Sequence, residues 1–533
     1  MKLLLINKLL ITQTNKMENL KNLFAFLMLA ITISFTACTT ETSTVNISGT
    51  VTDGTNGLDG VTVTASTGET ATTNSTGGYE ITAAKDGSLT FSLKGYTSKT
   101  VNVDGQTTID VTLSVDPWIT SFDGNGNTTV DPQFPANSLI PSAALTATSS
   151  TDAWYTTANY KGAVESVIGT PWYANSNWSF FSRIIGGTNT SAALNTTGKA
   201  TKDITDAWMQ AQGTTIQWSA DTIYVLDGFV FVGSGQTLNI PAGTIVQGKA
   251  GTGSNASALI VTKDAKIEAT GTAADPIVFT FEGDNGNTPA TERGKWGGLI
   301  ILGNAGLNSS PGQTQIEGIP TSETRGLYGG SDNSDNSGTL RYVSIRHGGT
   351  NIGNDNEING LTLGGVGSGT TIEYVEIVAN KDDGIEWFGG TVNAKYLISA
   401  YCADDALDYD EGYRGKNQFV IIYQDATAAD RGGEHDGGTN PETATPYATP
   451  KFWNVTSVGS STSKAITFRD NAGGEYHNSI FMNYGKGIDI EDLEGQDQDS
   501  YKQFQDGNLK IANSIFFNIG AGTTGLDLFT VSN

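Results

Sequence analysis

Positive charge is scarce in this sequence, and its scarcity excludes one class of partner. The 533 residues include 30 lysines and arginines against 55 aspartates and glutamates, so the net charge is −25. Proteins that bind nucleic acids usually present a basic face that displaces counterions from the phosphates. No run of Lys or Arg occurs, and we expect no nucleic acid among the partners.

Cysteine and histidine are also rare. Two cysteines cannot build a disulfide framework. The three histidines, His347, His435 and His477, lie far apart in the sequence, which argues against a zinc site built on histidine. Cys402 lies in an apolar stretch, and we expect it to be a small buried side chain.

Glycine and short apolar runs are abundant. The chain has 66 glycines and 37% hydrophobic residues, which is enough for a sizeable core. Short runs of β-branched and aromatic residues between Gly, Asn and Asp favour strands joined by turns. The composition predicts an all-β protein and argues against a helical bundle.

The N-terminus carries the pattern of an export signal. Residues 23–35 form an apolar run of 13 residues. This is short for a helix that crosses a membrane, which needs about 20 residues, but it is typical of the apolar centre of a secretory signal. Either Met1 or Met17 could be the start of this signal.

The residues after this run resemble a bacterial lipoprotein signal. Residues 35–37 (FTA) lead into Cys38, and in such signals the Cys is lipidated and becomes the mature N-terminus. Leu is usual where Phe35 stands, which is a departure from the pattern. The resemblance implies a signal over residues 1–37, a membrane partner through a lipid anchor on Cys38, and a cell-envelope location at the outer membrane. The alternative is an ordinary cleaved signal followed by a free Cys38.

A small domain follows a short tether over residues 38–45. Residues 46–115 alternate polar and apolar side chains with a period of two, as in the VTVT run at 61–64, between Gly and Asp turns. This pattern is typical of a small antiparallel sandwich. Residues 49–53 (GTVTD) and 73–79 (TNSTGGY) resemble the carboxypeptidase regulatory-like (transthyretin-type) domain. The resemblance implies a seven-strand sandwich that acts as a spacer or docking unit.

Residues 116–215 form an irregular junction that is rich in aromatic rings. The block comprises Trp154, Tyr155, Tyr160, Trp172, Tyr173, Trp178, Phe180 and Phe181. These rings could present themselves to a ligand or cover the open end of the following domain. We predict a cap, because the end of a solenoid must be covered.

An aromatic position recurs in the segment from 216 to 533. Tyr374 and Tyr396 are 22 residues apart, Tyr396 and Phe419 are 23 apart, and Tyr342 precedes Tyr374 by 32. The series continues to Phe452 after another 33 residues. Spacings near 22 suit one rung of short strands, whereas a propeller blade needs about 40–50 residues. The spacing predicts a right-handed parallel β-helix with insertions in some rungs.

Four segments resemble the β-helical domain of a group of bacterial exported lipoproteins. They are residues 224–226 (YVL), 296–300 (WGGLI), 356–370 (NEINGLTLGGVGSGT) and 387–391 (WFGGT). The resemblance implies the fold and export but no established activity, so the function must be argued from individual residues.

Acidic residues recur one rung apart. Two sets share the same internal spacing and lie 22 residues apart: Asp382, Asp383 and Glu386, then Asp404, Asp405 and Asp408. Equal offsets in a β-helix place equivalent residues about 4.8 Å apart. Stacked carboxylates raise each other's pKa unless a cation offsets them.

One hypothesis for these residues is catalytic. Asp383, Asp404, Asp405, His435 and Arg469 follow the order seen in polygalacturonase-type glycoside hydrolases. That resemblance implies carboxylates acting as acid and base, with His and Arg binding the sugar. The residues around His435 and Arg469 depart from the hydrolase pattern.

Two other hypotheses need no catalysis. Asp382, Glu386, Asp404 and Asp408 could hold a calcium ion, which prefers hard oxygen ligands. Alternatively, the acidic residues are solvated turn residues, since Asp is favoured in turns.

Aromatic residues also lie near the acidic sets in the sequence. Tyr401, Tyr413 and Tyr423 are candidates for contacts with the faces of sugar rings. The alternative is that rings stack at repeating positions inside the β-helix, which we expect for Tyr374 and Tyr396.

Together these features predict a lipid-anchored cell-envelope protein with a non-catalytic module. Its partner would be a polysaccharide or an envelope protein, and calcium is the only cofactor indicated. The alternative is a polysaccharide-cleaving enzyme that uses carboxylates on successive rungs.

Overall fold

The computed structural model describes most of the chain from residue 43 onward. It covers residues 43–532 except 167–169, 176–177, 187–193, 354–356, 440 and 494–497. Cys38 and the predicted signal over residues 1–37 lie outside the described residues. The chain divides into two compact units, Met1–Val115 and Asp116–Asn533.

The first unit is the antiparallel sandwich that the alternation predicts. Its strands are β1 Thr44–Thr52, β2 Thr62–Ala65, β3 Thr70–Thr72, β4 Gly78–Ala84, β5 Ser88–Ser92, β6 Lys99–Asn102 and β7 Val111–Thr112. They form one sheet in the order β4-β1-β7 and a second in the order β3-β2-β5-β6. Alternate residues such as Val51, Val63 and Phe91 are fully buried between the sheets, which confirms the seven-strand sandwich.

The described residues of the second unit form five short α-helices. They are α1 Pro117–Gly124, α2 Phe181–Ile185, α3 Asp206–Gln210, α4 Ser500–Gln505 and α5 Gly525–Leu528. Turns of 3₁₀-helix occur at Trp172–Ala174, Gly253–Asn255 and Thr324–Gly326. Among the described residues, no helix has the length and apolar character needed to cross a membrane.

The remainder of this unit consists of strands. They are β8 Ala200–Ile204, β9 Thr215–Gln217, β10 Thr222–Leu226, β11 Phe229–Val232, β12 Thr237–Pro241, β13 Ile245–Gly248, β14 Ala258–Val261, β15 Lys266–Thr270, β16 Ile277–Phe281, β17 Leu299–Leu302, β18 Thr314–Gln315, β19 Leu327–Tyr328, β20 Gly338–Arg346, β21 Leu361–Gly364, β22 Thr371–Val378, β23 Ile385–Phe388, β24 Asn393–Ala400, β25 Leu407–Asp410, β26 Lys416–Tyr423, β27 Glu434–Asp436, β28 Lys451–Val458, β29 Lys464–Arg469, β30 Gly474–His477, β31 Ile480–Met482, β32 Lys486–Glu491, β33 Leu509–Ala512, β34 Ile515–Phe517 and β35 Phe529–Ser532.

Apart from β18 and β19, which form an antiparallel pair, these strands form a parallel β-helix, as the spacing predicts. One sheet, here called the acidic sheet, has the order β11-β14-β17-β21-β23-β25-β27-β29-β32-β35. The other, here called the flank sheet, runs from β8 through β10, β13, β16, β20, β22, β24, β26 and β28 to β30 and β33. Successive rungs pair in parallel in both sheets, and one continuous apolar core fills the space between them. Strands β8 and β9 pair with β10 and β12, so the rungs begin before residue 216.

The long strands of the flank sheet bend at a repeated position. Tyr342, Tyr374, Tyr396, Phe419 and Asn454 all have a left-handed backbone, with φ between 49° and 60°. Such angles are uncommon outside Gly, Asn and Asp, and ring stacking accompanies them here. The rings of Tyr342, Tyr374 and Tyr396 lie parallel with centroids 4.4 and 4.3 Å apart.

This aromatic series differs from the expectation at two points. The rings pack against the cluster outside the β-helix rather than in its interior core. The bend position after Phe419 is Asn454, since Asn417 pairs with Phe452. Phe452 is therefore an interior residue, stacked on Tyr476 at 4.7 Å.

The junction crosses the flank sheet instead of capping an open end with its aromatic block. We call residues 128–199 the flank segment, and it meets the rungs in reverse order. Its contacts are Thr128 with Ser514, Thr148 with Asn478, Tyr160 with Asn454, Trp172 with Tyr396 and Trp178 with Tyr342. The aromatic rings fill the outer face of the flank sheet because its outward side chains are apolar, such as Ile398 and Ile421.

Helix α1, at the start of this unit, lies on the last rungs. Trp118 contacts Phe504 and Phe529, each with ring centroids 4.9 Å apart, and Phe122 contacts Phe516 at 5.9 Å. Asp116 caps the helix by accepting the Trp118 N–H. This helix therefore covers the end of the core that the last rungs leave open.

Candidate functional site

Charged side chains are concentrated on the outer face of the acidic sheet from β23 to β32, whereas Phe231, Ile260 and Ile300 on its earlier strands belong to an apolar cluster separate from the core. Within each strand alternate side chains point to opposite sides, so Ile385 and Trp387 enter the core while Glu386 points outward. The register pairs Glu386 with Asp408, and Asp408 with Glu434. The predicted stacking of Glu386 on Asp408 is therefore present.

Three carboxylates meet at one point of this face. Asp383 lies in the turn before β23, Glu386 is the second residue of β23, and Asp408 is the second residue of β25. One oxygen from each lies within 4.8 Å of the other two. Asp383 and Glu386 are only 8% and 7% exposed. We call these three residues the acidic cluster.

The acidic cluster has few protein partners. The Asp405 N–H donates to Asp383 Oδ1 at 2.9 Å, and Asn359 Nδ2 donates to Glu386 Oε2. Asp408 is partly exposed, yet its Oδ1 is inaccessible and accepts no hydrogen bond. Across the described part of the chain, no Lys, Arg or His forms an ion pair with any of the three.

Burial and mutual repulsion make ionisation of the cluster unfavourable. Burial raises the pKa of Asp383, Glu386 and Asp408 well above the usual range of a carboxyl, and neighbouring carboxylates raise each pKa further. Glu317, from the loop after β18, is one of those neighbours for Glu386. Protonation or a bound cation would relieve this repulsion.

The four residues predicted to bind calcium divide between two groups. Asp382 and Asp404 each have an oxygen within 4.8 Å of Asp383, whereas Glu386 and Asp408 meet Asp383 in the acidic cluster. Burial, Glu317 and Asp404 raise the pKa of Asp382 to about 7. Asp383 joins the two groups, and the prediction of calcium ligands omitted it.

A third acidic group has its own cation. Asp404, Asp405 and Asp430 also bring oxygens within 4.8 Å, but Arg431 lies 3.3 Å from Asp405 and 2.6 Å from Asp430. Asp405 also accepts the Arg431 N–H at 2.6 Å. The protein itself therefore offsets part of the charge at this group.

The structure removes His435 from the candidate sugar-binding residues. His435 lies in β27 between two outward residues, so its ring enters the core and is 0% exposed. It stacks on Tyr409 at 4.1 Å and its Nε2 lies 2.7 Å from Tyr476 Oη. Burial lowers the pKa of His435 to about 3. A neutral ring inside the solenoid cannot contact a ligand on the outer face.

Arg469 lies on the correct face but away from the acidic cluster. Its guanidinium binds Asp436 at 2.7 Å and Glu434 at 2.8 Å. Glu434 is one rung beyond Asp408, and β29 is one rung further. Asp383, Asp404, Asp405, His435 and Arg469 are thus not brought together as one catalytic site.

The three tyrosines predicted to bind sugar do not line the acidic face. Tyr413 is 0% exposed, stacks on Trp387 at 5.2 Å and donates to the Val392 carbonyl. Tyr401 and Tyr423 stack on each other at 5.8 Å and pack against the cluster under the flank segment. Tyr423 is in β26 and Tyr401 directly follows β24, so both lie at the flank sheet, whereas Tyr413 lies in the turn before β26 and is buried.

Two neighbours of the acidic cluster, Asn359 and Glu317, were not predicted from the sequence. Asn359 precedes β21 by two residues, as Asp383 precedes β23 and Asp405 precedes β25. Aligning the strand starts Leu361, Ile385 and Leu407, which pair in register, would have revealed Asn359. Glu317 lies in an insertion without a rung pattern, so no periodic signal pointed to it.

Two family profiles match the chain. Residues 210–531 match the pectate-lyase-like β-helix domain, and residues 47–123 match the carboxypeptidase regulatory-like domain. No curated protein matches. Among solved structures, the enzymatically active domain of tailspike protein 2 from bacteriophage CBA120 aligns at 11% identity with a TM-score of 0.21. That alignment covers 57% of this chain and 46% of the tailspike chain.

Proposed function

The chain belongs to the pectate-lyase-like β-helix family, and from this premise we propose that it binds an acidic polysaccharide on the outer face of the acidic sheet. A calcium ion in the acidic cluster would join the protein to carboxylates of the polymer. This proposal favours binding over cleavage.

The observation that carries the proposal is the unpaired state of the acidic cluster. Three carboxylates within 4.8 Å, with one inaccessible oxygen lacking a partner, require an external positive charge to remain ionised. Calcium takes six to eight oxygen ligands. Asp383, Glu386 and Asp408 supply only part of that number, so coordination positions are left for oxygens of a ligand.

The shortage of exposed rings supports a ligand recognised by charge. Among the described residues, the large hydrophobic side chains that are exposed are Val115, Val130, Leu327 and Leu526, none of them aromatic. A neutral polysaccharide is commonly bound by rings stacked against its sugars, and the acidic face offers carboxylates instead. A polymer bearing carboxylates, bridged by calcium, fits this chemistry.

Hydrolysis is the second candidate and has weaker support. Inverting glycosidases separate their two carboxyl groups by about 6.5–9.5 Å to admit water. Oxygens of Asp382, Asp383 and Asp404 lie within 4.8 Å, and Asp383 and Asp405 are buried. The raised pKa of Asp382, about 7, is the feature that would suit a general acid.

The test measures binding and cleavage in one experiment. The full chain is mixed with polygalacturonate or with neutral dextran, in calcium or in EDTA, and both retention and release of new chain ends are followed. We expect calcium-dependent retention of polygalacturonate only, lost in Asp408→Asn and Glu386→Gln. Asp489→Asn, further along the same outward column, is the matched control. Calcium-independent retention would contradict the proposal, and release of chain ends would establish cleavage.

We also propose that Cys38 anchors the protein in the outer membrane, with the sandwich as a spacer. The support is the signal pattern before Cys38. Acyl chains contribute about 0.8 kcal/mol per buried CH₂, so Cys38→Ser should move the protein from the membrane to the soluble fraction. A variant that still sediments with membranes would exclude this anchor.

A further inference from the structure

A second polar site lies on the opposite sheet, at the C-terminal end of the flank segment. A cavity of 390 Å³ opens beside β10, β13 and β16. Its lining includes the cationic residues Arg183, Lys199 and Arg346 and the acidic residues Asp221 and Asp275. Asp221 and Asp275 are exposed, whereas Arg346 is only 1% exposed. The cavity thus has a buried positive end and carboxylates at its mouth.

Arg346 has unused hydrogen-bonding capacity. Its Nε donates to Ser344 Oγ at 2.6 Å, but neither Nη1 nor Nη2 has an acceptor. A guanidinium carries five N–H donors, so four of them are without a partner in a side chain that is 0% exposed. Buried donors without acceptors cost free energy, which makes this cavity a place for an external acceptor.

The nearest carboxylate is already occupied. Glu376 Oε1 lies 3.9 Å from Arg346 Nη2, beyond hydrogen-bonding distance. Glu376 instead accepts the N–H groups of Phe180 and Phe181 and the hydroxyls of Ser179 and Ser344. It therefore balances charge near Arg346 without using the terminal N–H groups.

Asp284, the other acidic neighbour, is also saturated. It accepts from Thr280 Oγ1 at 2.8 Å, from the Gly286 N–H at 2.9 Å and from Thr288 Oγ1 at 2.9 Å. Among the described residues, the Arg183 guanidinium and the terminal nitrogens of Arg346 thus lack a hydrogen-bond acceptor around one cavity.

We infer that this cavity binds the carboxylate of a small hydroxylated acid, of the class of hexuronic acids. The planar fork of Arg346 suits a carboxylate held by two parallel hydrogen bonds. Asp221 and Asp275 at the mouth can accept hydrogen bonds from hydroxyls, which a simple anion would not offer. The volume falls within the range of about 300–1,000 Å³ usual for small-molecule sites.

The test uses the full chain in EDTA, which keeps the calcium site of the proposed function empty and so separates the two proposals. Galacturonate, galactose and sulfate are titrated by calorimetry and by thermal denaturation. We expect saturable binding of galacturonate, weaker binding of sulfate and none of galactose. Arg346→Lys keeps the buried charge beside Glu376 but loses the fork, and it should weaken galacturonate by about tenfold or more, the loss of one charge-assisted hydrogen bond.

Arg183→Gln provides a second variant at a partly exposed position, where folding is not at risk, and it should weaken galacturonate several-fold. Arg341→Gln, an exposed Arg of β20 paired with Glu373, is the matched control and should change nothing. If Arg346→Lys does not fold, Arg183→Gln decides the matter. The inference is overturned if galacturonate does not saturate, if sulfate alone binds, or if both cavity variants bind like the unmodified protein.

Discussion

Glu376 and Glu386 lie on successive strands of one rung, both point outward, and both are buried, yet their surroundings are opposite. Glu376, in the flank sheet, accepts four hydrogen bonds from the flank segment and Ser344. Glu386, in the acidic sheet, accepts one from Asn359 and faces other carboxylates. The flank segment therefore supplies donors to the outer face around Glu376, whereas the outer face around Glu386 carries other carboxylates.

The difference shows how the two faces of one solenoid are used. A carboxylate that the protein saturates with its own donors serves the fold, because it fixes the start of helix α2 against β22. A carboxylate left among like charges weakens the fold. We infer that the second kind is retained for a ligand, and the following predictions test that contrast.

Removing the saturated carboxylate should have the largest effect. Glu376→Ala leaves Arg346 without its balancing charge and four donors without an acceptor, so we expect a loss of about 3–5 kcal/mol in the free energy of unfolding, as for a broken buried pair. Urea denaturation followed by tryptophan fluorescence measures it. Glu376→Gln keeps part of the hydrogen bonding and should lose less, whereas equal stability of Glu376→Ala and the unmodified protein would remove the contrast.

Calcium bound at the acidic cluster should stabilise the protein by less than Glu376→Ala destabilises it. At about a hundredfold excess over the dissociation constant, a ligand that binds only the native state adds about 2.7 kcal/mol. Calcium should therefore raise the melting temperature, and Asp408→Asn should abolish the rise. The same calcium titration of Glu376→Gln should still show it. A melting curve independent of calcium in the unmodified protein would end the metal hypothesis.

The pH dependence in EDTA should reveal the same repulsion. The raised pKa values of Asp383, Glu386 and Asp408 mean that the native state holds more protons than the unfolded state above about pH 4. The contribution of these three carboxyl groups to stability is therefore fully present below their unfolded pKa and is lost as the pH rises. Asp408→Asn removes one charge, so it should match the unmodified protein near pH 4 and exceed it near pH 8 by on the order of 1 kcal/mol.

Comparing Asp408→Asn with the unmodified protein at each pH cancels the contribution of the buried histidines, which opposes that of the carboxyl groups. Burial lowers the pKa of His347 to about 4 and of His435 to about 3, and these residues destabilise both proteins as the pH falls below about 6.5. If the difference in free energy of unfolding between Asp408→Asn and the unmodified protein does not grow with pH, the proposed repulsion is contradicted.

The smallest effect is expected from removing Arg469, a cation that the protein itself supplies on the outer face of the acidic sheet. Arg469 pairs with Glu434 and Asp436, and its side chain is 41% exposed. Arg469→Gln should cost about 0.2–1 kcal/mol, as for exposed ion pairs, and calcium should restore part of the loss. Differential scanning calorimetry in EDTA and in calcium measures both, and a loss above the Glu376→Ala value would reverse the proposed order.

The fold and the stacked acidic pairs could be predicted from the sequence because both follow the rung periodicity. The spacing of Tyr374 and Tyr396 marked the rung, and the offset of 22 placed Glu386 on Asp408 as the register has it. These features repeat with the rung, so counting along the chain finds them. The sandwich was accessible for a similar reason, because its strands alternate strictly.

Features that do not repeat with the rung could not be predicted from residue spacing. His435 enters the core because it directly follows Glu434, which points outward. The order of residues shared with polygalacturonase-type hydrolases instead predicted that His435 binds the sugar. Tyr401 and Tyr423 were close in sequence to the acidic sets but belong to the other sheet. Glu376 reads as an ordinary strand residue until the flank segment, about 195 positions earlier, is folded over it.

Helix α1 and the flank segment change what kind of solenoid this is. In a repeat protein each rung touches only its neighbours, so stability resembles a one-dimensional chain of local couplings whose ends can fray. Here Trp118, at the start of the unit, packs on Phe529 at its end, and the flank segment then contacts rungs from Ser514 back to Tyr342. One strap of chain thus couples rungs that are not adjacent. Loosening the last rung would also release the flank segment from the earlier ones, so we expect the solenoid to unfold as a single cooperative body rather than as a stack of independent turns.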